Sequence, residues 1–199
     1  MDKIKVIFVS HCILNRAAKV SYRGNKNTLG EEVIRRKLID AALDNSVCIV
    51  QLPCPEFNIY GANRWGNTKE QFDNPFFKEN CKRMLETYIL QMEEYINKKD
   101  KFEILGIVGI DGSPSCGINF TCSGDWGGEI SSRCDLDDAI RSMHKINEKG
   151  IFMEMVEKML LDRGVEIPMY TMGKAIKFLN KMKEDNTDNY SVYNLQCIN

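Results

Sequence analysis

Eight cysteines in 199 residues are the strongest chemical signal in this chain, and three of them lie in the loops that follow apolar runs rich in β-branched residues. Cys12 closes Ser10-His11-Cys12, Cys54 sits in Leu52-Pro53-Cys54-Pro55-Glu56, and Cys116 lies in Gly112-Ser113-Pro114-Ser115-Cys116-Gly117. Three thiolates delivered by separated loops can hold three irons of a 4Fe-4S cube and leave the fourth iron open to a substrate or water. Zinc is the competing ion, but its sites usually pair ligands at C-x-x-C spacing, and no two cysteines here have that spacing. Spacing alone leaves an iron-sulfur cluster, a catalytic thiol and plain packing all open.

The elements that must carry these cysteines can be read from the hydrophobic pattern. Residues 5–10, 47–52 and 104–110 are almost continuously apolar rather than alternating, as in a sheet covered on both faces. Between the first two strands, residues 30–44 show Val33, Ile34, Leu38 and Ala41 at helical spacing. Between the second and third, residues 74–97 form a longer helix with Phe77, Met84, Leu85, Tyr88, Met92 and Tyr95 on its core side, started by Asn74 as cap and Pro75 at the first position. We expect a polar, Gly-rich functional loop over 111–128, helices over 135–148 and 151–163, and a short strand near 166–170. The alternation predicts an α/β, Rossmann-like three-layer domain over 1–180 with a mostly parallel sheet, followed by a polar tail over 181–199. In such a sheet the carboxyl ends of the strands share one edge, and ligands bind there. Three cysteines distant in sequence therefore converge.

Composition narrows the function classes. The formal net charge is -1, with 43% hydrophobic and 28% charged residues, and no basic stripe interleaved with aromatics points to nucleic acid. A small substrate is the simpler expectation, with a modified transfer RNA as the one nucleic acid to keep in view. The first apolar run is too short for the core of a signal peptide, and no stretch is long enough to span a bilayer. We therefore expect a cytoplasmic protein with no membrane partner, in a reducing compartment where eight cysteines do not form a disulfide framework. Nothing in the composition specifies an oligomeric state.

Ser-x-Cys after the first strand, Cys-Pro-Glu after the second and Ser-Pro-Ser-Cys-Gly after the third resemble, in this order, the TudS family of thiouracil desulfidases. Ser113-Pro114-Ser115-Cys116-Gly117 is the most specific element. Tyr22-Arg23-Gly24 is similar to an Arg-Tyr-x-Gly element of that family with its first two residues exchanged, and Gly150-Ile151-Phe152-Met153-Glu154 resembles the start of its later helix. The chain departs from the family pattern at 57–65, where relatives carry Gly-Gly-Leu and Pro-Arg, and at Ile110, where they often carry lysine. The resemblance implies a 4Fe-4S cluster on Cys12, Cys54 and Cys116, an open iron that binds the substrate's sulfur, a small thiolated base as substrate, and hydrolytic rather than redox desulfurisation with release of hydrogen sulfide.

Within that scheme Glu56, two residues from a ligand, is the candidate to activate water or move a proton. Ser113 and Ser115 are candidates to hydrogen-bond the ring or the leaving sulfur, and Asp111 to hold a ring N–H. His11, Trp65 and Arg64 are candidate substrate contacts, while Trp126 and Tyr60 either stack on a base or simply pack the loops. Cys48 and Cys81 read as buried, inert thiols, Cys122 and Cys134 as loop or helix-packing residues with approach to the metal as the alternative, and His144 as a solvated residue on a polar helix. Two other functions fit the same residues. One is a cluster- or metal-binding sensor without catalysis, and the other a transferase or hydrolase with Cys116 as nucleophile.

Overall fold

In the computed structural model the described residues are 2–20, 28–129, 131 and 133–187. The element order is β1 (Ile4–Val9), α1 (His11–Leu14), a 3-10 turn (Arg16–Ala18), α2 (Thr28–Asp44), β2 (Cys48–Gln51), α3 (Pro55–Tyr60), α4 (Lys69–Phe72), α5 (Pro75–Asn97), β3 (Phe102–Gly109), β4 (Thr121–Ser123), α6 (Leu136–Ser142), β5 (His144–Ile146), α7 (Ile151–Leu161), β6 (Met169–Thr171) and α8 (Met172–Thr187). Four strands form a wholly parallel sheet in the order β2-β1-β3-β6. This is the expected α/β, Rossmann-like arrangement of three layers.

The period-two alternation of β1 divides its side chains between two cores. Val6 and Phe8 face the layer containing α5 and α7, with Leu85, Ile89 and Phe152. Ile7 and Val9 face α2 and α8, with Leu38, Ala41, Ala175 and Leu179. Strands β1 and β3 are central and buried over most of their length, which is why their sequences read as unbroken apolar runs. Strand β2 lies at the edge, and this corrects the reading of Cys48: its thiol is exposed, not buried. Val33 and Ile34 are likewise exposed, and α2 packs through Leu38, Ala41 and Ala42.

Helix α5 begins as its sequence predicts, with the Asn74 side chain accepting the Phe77 backbone N–H at 2.9 Å and Pro75 at the first position. The expectation for 135–148 is corrected. The helix ends at Ser142, and His144–Ile146 pairs antiparallel with Thr121–Ser123, so the 111–128 segment contains a strand and His144 stands on another. Helix α8 extends beyond residue 180 into the stretch read as a tail and packs on α2; residues 188–199 lie outside the described residues. Among the described residues no helix is long and apolar enough to cross a membrane.

Candidate active site

Because β1, β2 and β3 run parallel, the loops leaving their carboxyl ends meet at one edge of the sheet. Cys12 lies in α1, which starts two residues after β1. Cys54 is the cap of α3, its Sγ accepting the Phe57 backbone N–H at 3.4 Å. Cys116 follows β3 on a tight loop. All three sulfur-bearing residues line a single cavity of about 670 Å³, together with Glu56, Ser113 and Ser115.

The Cys116 loop is over-determined by hydrogen bonds. Ser113 Oγ accepts the backbone N–H groups of Cys116 at 3.0 Å and Ser115 at 3.3 Å, and the Cys116 carbonyl accepts Ile110 N–H at 2.8 Å. The N-terminus of α7 closes on the loop from below. The Ile151 and Met153 N–H groups, which have no acceptor within the helix, donate to the carbonyls of Pro114 at 3.0 Å and Ser115 at 3.2 Å, and Gly150 N–H donates to the Gly117 carbonyl at 3.0 Å. Such close approach requires glycine at 150, since a Cβ there would lie 2.4 Å from the Ser115 carbonyl carbon. The Gly150–Glu154 segment thus shapes the site without lining the cavity.

Glu56 is the polar hub. Its Oε1 accepts the Ser115 hydroxyl at 2.5 Å and lies 3.5 Å from Ser113 Oγ, while Oε2 is 3.5 Å from Arg64 Nε. Arg64 is almost wholly buried, with its side chain 6% exposed. It donates to the carbonyls of Gly61 at 2.9 Å and Ala18 at 2.7 Å, its guanidinium lies over the Phe57 ring, and its Nε is the one buried polar side-chain atom among the described residues without a hydrogen-bond partner. Arginine, carboxylate and two hydroxyls hold one another at the cavity wall.

The thiols stand in surroundings hostile to a bare negative charge. Burial pushes Cys12 up to about 12, against the opposing pull of Lys19, and Cys54 and Glu56 push it further. Burial also raises Cys54, partly offset by the Phe57 N–H, and lifts Cys116 well above the usual thiol range, with Cys12 and Glu56 adding to the effect. A nucleophilic thiol needs the opposite environment, which weighs against Cys116 as a free nucleophile. A metal cation would reverse the balance, because coordination removes the thiol proton outright. Among the described residues no three His, Cys, Asp or Glu side chains gather tightly enough to hold a single ion.

The remaining candidates divide by how they are engaged. His11 lines the cavity, but with Nδ1 donating to the Leu52 carbonyl at 3.2 Å and Nε2 accepting from Asn15 at 3.2 Å both its nitrogens are occupied in tying the β1 and β2 ends together. Asp111 also lines the cavity, and its two oxygens accept the backbone N–H groups of Ile118 and Asn119 and the Asn119 side chain. Trp65 and Trp126 border the cavity, while Tyr60 stands outside it. Cys122 lines the cavity, Cys81 is buried in the core, and Cys134 is exposed. Tyr22-Arg23-Gly24 lies outside the described residues. Sequence reading missed Lys19 and Glu31, which form an ion pair beside Cys12, and the apolar wall of Ile140 and Met143. The three-residue spacing of Ile140 and Met143 across the end of α6 was the available signal for that wall.

Residues 4–129, which contain all three cavity cysteines and Glu56, match the family model described as "putative 2-thiouracil desulfurase". An uncharacterized protein of Methanocaldococcus jannaschii is 36% identical over 114 residues, covering 57% of this chain and 68% of its own length. No solved structure matches the chain.

Proposed function

The chain belongs to the "putative 2-thiouracil desulfurase" family, and on that premise we propose that it is a 4Fe-4S-dependent desulfidase that removes sulfur from a thiolated nucleobase or nucleoside by hydrolysis. The observation that carries this reading is the lining of one cavity by three cysteines from three strand ends, with a carboxylate held beside them. The donor set suits the cofactor. Three sulfur donors border a shared space, and the N–H donated to Cys54 Sγ is the kind of contact that tunes cluster sulfurs. Cys12, Cys54 and Cys116 would hold the cluster, which when bound supplies a soft Lewis-acidic iron matched to a thiocarbonyl sulfur.

The chain's own residues do the rest. Glu56 takes one proton from water as the water oxygen adds to the thiocarbonyl carbon and returns it to the sulfur; it then takes the proton left on the added hydroxyl and passes it to the same sulfur as the carbon–sulfur bond breaks and the carbonyl forms. Ser115, Ser113 and Arg64 hold that carboxylate in one orientation, so no reorganisation is needed as the proton moves. Ile110, Ile140 and Met143 line the same space with apolar surface and limit bulk water. Water and the thiocarbonyl become a carbonyl and hydrogen sulfide, and no electrons are transferred.

Chain purified without oxygen should be brown, contain about four irons and release sulfide from thiouracil or thiouridine. Glu56→Gln should keep the iron and slow turnover by about 10²-fold or more. Full sulfide release from an iron-free, colourless protein would sink the cofactor assignment, and unchanged turnover in Glu56→Gln would remove that residue from the chemistry.

A further inference from the structure

Next to the cysteine cavity lies a second recess of about 360 Å³, and the two share Arg64, Trp65, Asn67 and Trp126. Tyr60, Asn63, Gln71 and Arg133 help form its other walls. The chain has two tryptophans, and both stand on the boundary between the two spaces. Trp65 is 72% exposed, so a large aromatic face beside the cavity is open to stack on a planar ring. The walls are set before any ligand arrives. Tyr60 stacks on the fully buried Phe72 with ring centroids 6.0 Å apart, and Arg64 ties the Trp65 segment to the Gly61 and Ala18 carbonyls. Little ordering is then needed on binding.

The lining chemistry selects the ligand. Aromatic faces stack on planar rings, and the amides of Asn63, Asn67 and Gln71 offer both donors and acceptors to a base edge. A terminal phosphate would call for an uncommitted cation, but both guanidinium groups in the lining are engaged. Arg64 holds Glu56 and two carbonyls, and Arg133 pairs with Asp135 at 2.7 Å and with the Gly127 carbonyl. A thiolated base in the cysteine cavity would have its chain neighbour within reach of this recess. Resting on the desulfidase reading above, we propose that the recess binds the nucleobase adjacent to the thiolated one, so that the protein binds a thiolated base within single-stranded RNA more tightly than the same base free.

Because both tryptophans border the recess, intrinsic fluorescence reports its occupation independently of sulfur chemistry. The full chain, purified without oxygen, is titrated with uridine, uridine 3′-monophosphate and the dinucleotide uridylyl-uridine. Stacking one base on an aromatic side chain should make the dinucleotide bind about fivefold or more tighter than the monophosphate. Trp65→Ala should lose this preference, and Trp65→Phe, which keeps an aromatic face, should retain most of it. Equal binding of monophosphate and dinucleotide overturns the proposal, as does a preference that survives in Trp65→Ala. Sulfide release from free thiouridine is read separately: its presence with no dinucleotide preference leaves the desulfidase reading intact and removes only the RNA substrate.

Discussion

Replacing Gly150 by alanine puts a methyl group 2.4 Å from the Ser115 carbonyl carbon, 2.5 Å from its oxygen and 2.9 Å from the Cys116 nitrogen. Ordinary contact begins at 3.4 Å, so a gap of about 1 Å must open between α7 and the loop, and neither side is a flexible side chain that can swing away. The Gly150 φ of -72° suits alanine, so displacement is the whole effect. Three hydrogen bonds cross this seam, at 3.0, 3.0 and 3.2 Å, and such an opening breaks them. With each worth about 1 kcal/mol and overpacking adding about 1–3 kcal/mol, the loss is about 4–6 kcal/mol, a large share of a domain's stability. Gly164→Ala is the matched control. Its φ is +69° with nothing within 4 Å of the new methyl, so it carries only backbone strain of about 1 kcal/mol. Urea unfolding and iron content of the two variants, both purified without oxygen, separate the mechanisms: Gly150→Ala should be the less stable and lose most of its iron, while Gly164→Ala keeps it. Wild-type stability and iron in Gly150→Ala would refute the claim that α7 holds Cys116 in position.

Three further outcomes follow from the cysteines. Cys54→Ser keeps an acceptor for the Phe57 N–H that caps α3, whereas Cys54→Ala loses about 1 kcal/mol with the cap; both should lose iron, and full iron in either contradicts the ligand assignment. After iron chelation, alkylation at pH 8 should label the exposed Cys48 and Cys134 first and Cys12, Cys81 and Cys116 last, as mapped by peptide mass, because burial disfavours their thiolates. The same burial sets a pH dependence. In the iron-free chain Cys12 and Cys81 rise from 9.0 to about 12, so between those values the folded iron-free chain binds more protons than the unfolded one, and stability present below pH 9 is lost as pH climbs. A urea midpoint that increased over that range would contradict it.

Local pattern determined much of this protein. The unbroken apolar runs of β1 and β3, the Asn74-Pro75 start of α5 and the delivery of Cys12, Cys54 and Cys116 at strand ends all follow from side-chain type and spacing along a short stretch of chain, and parallel strands then bring those ends to one edge. Tertiary structure decided the rest, since partners far apart in sequence leave no periodic trace. The exposure of Cys48 follows from β2 being an edge strand, a matter of strand order. The strand at His144–Ile146 exists because Thr121–Ser123 pairs with it, overriding a helical local pattern. In the sequence Arg64, Asp111 and His11 are candidate substrate contacts; in the fold the Ala18 and Gly61 carbonyls and Glu56 surround Arg64, and the Ile118 and Asn119 amides and the Leu52 carbonyl claim Asp111 and His11. A hydrogen bond is directional and needs both atoms within a few tenths of an ångström, so which polar groups stay available for chemistry is settled only once the whole chain has packed.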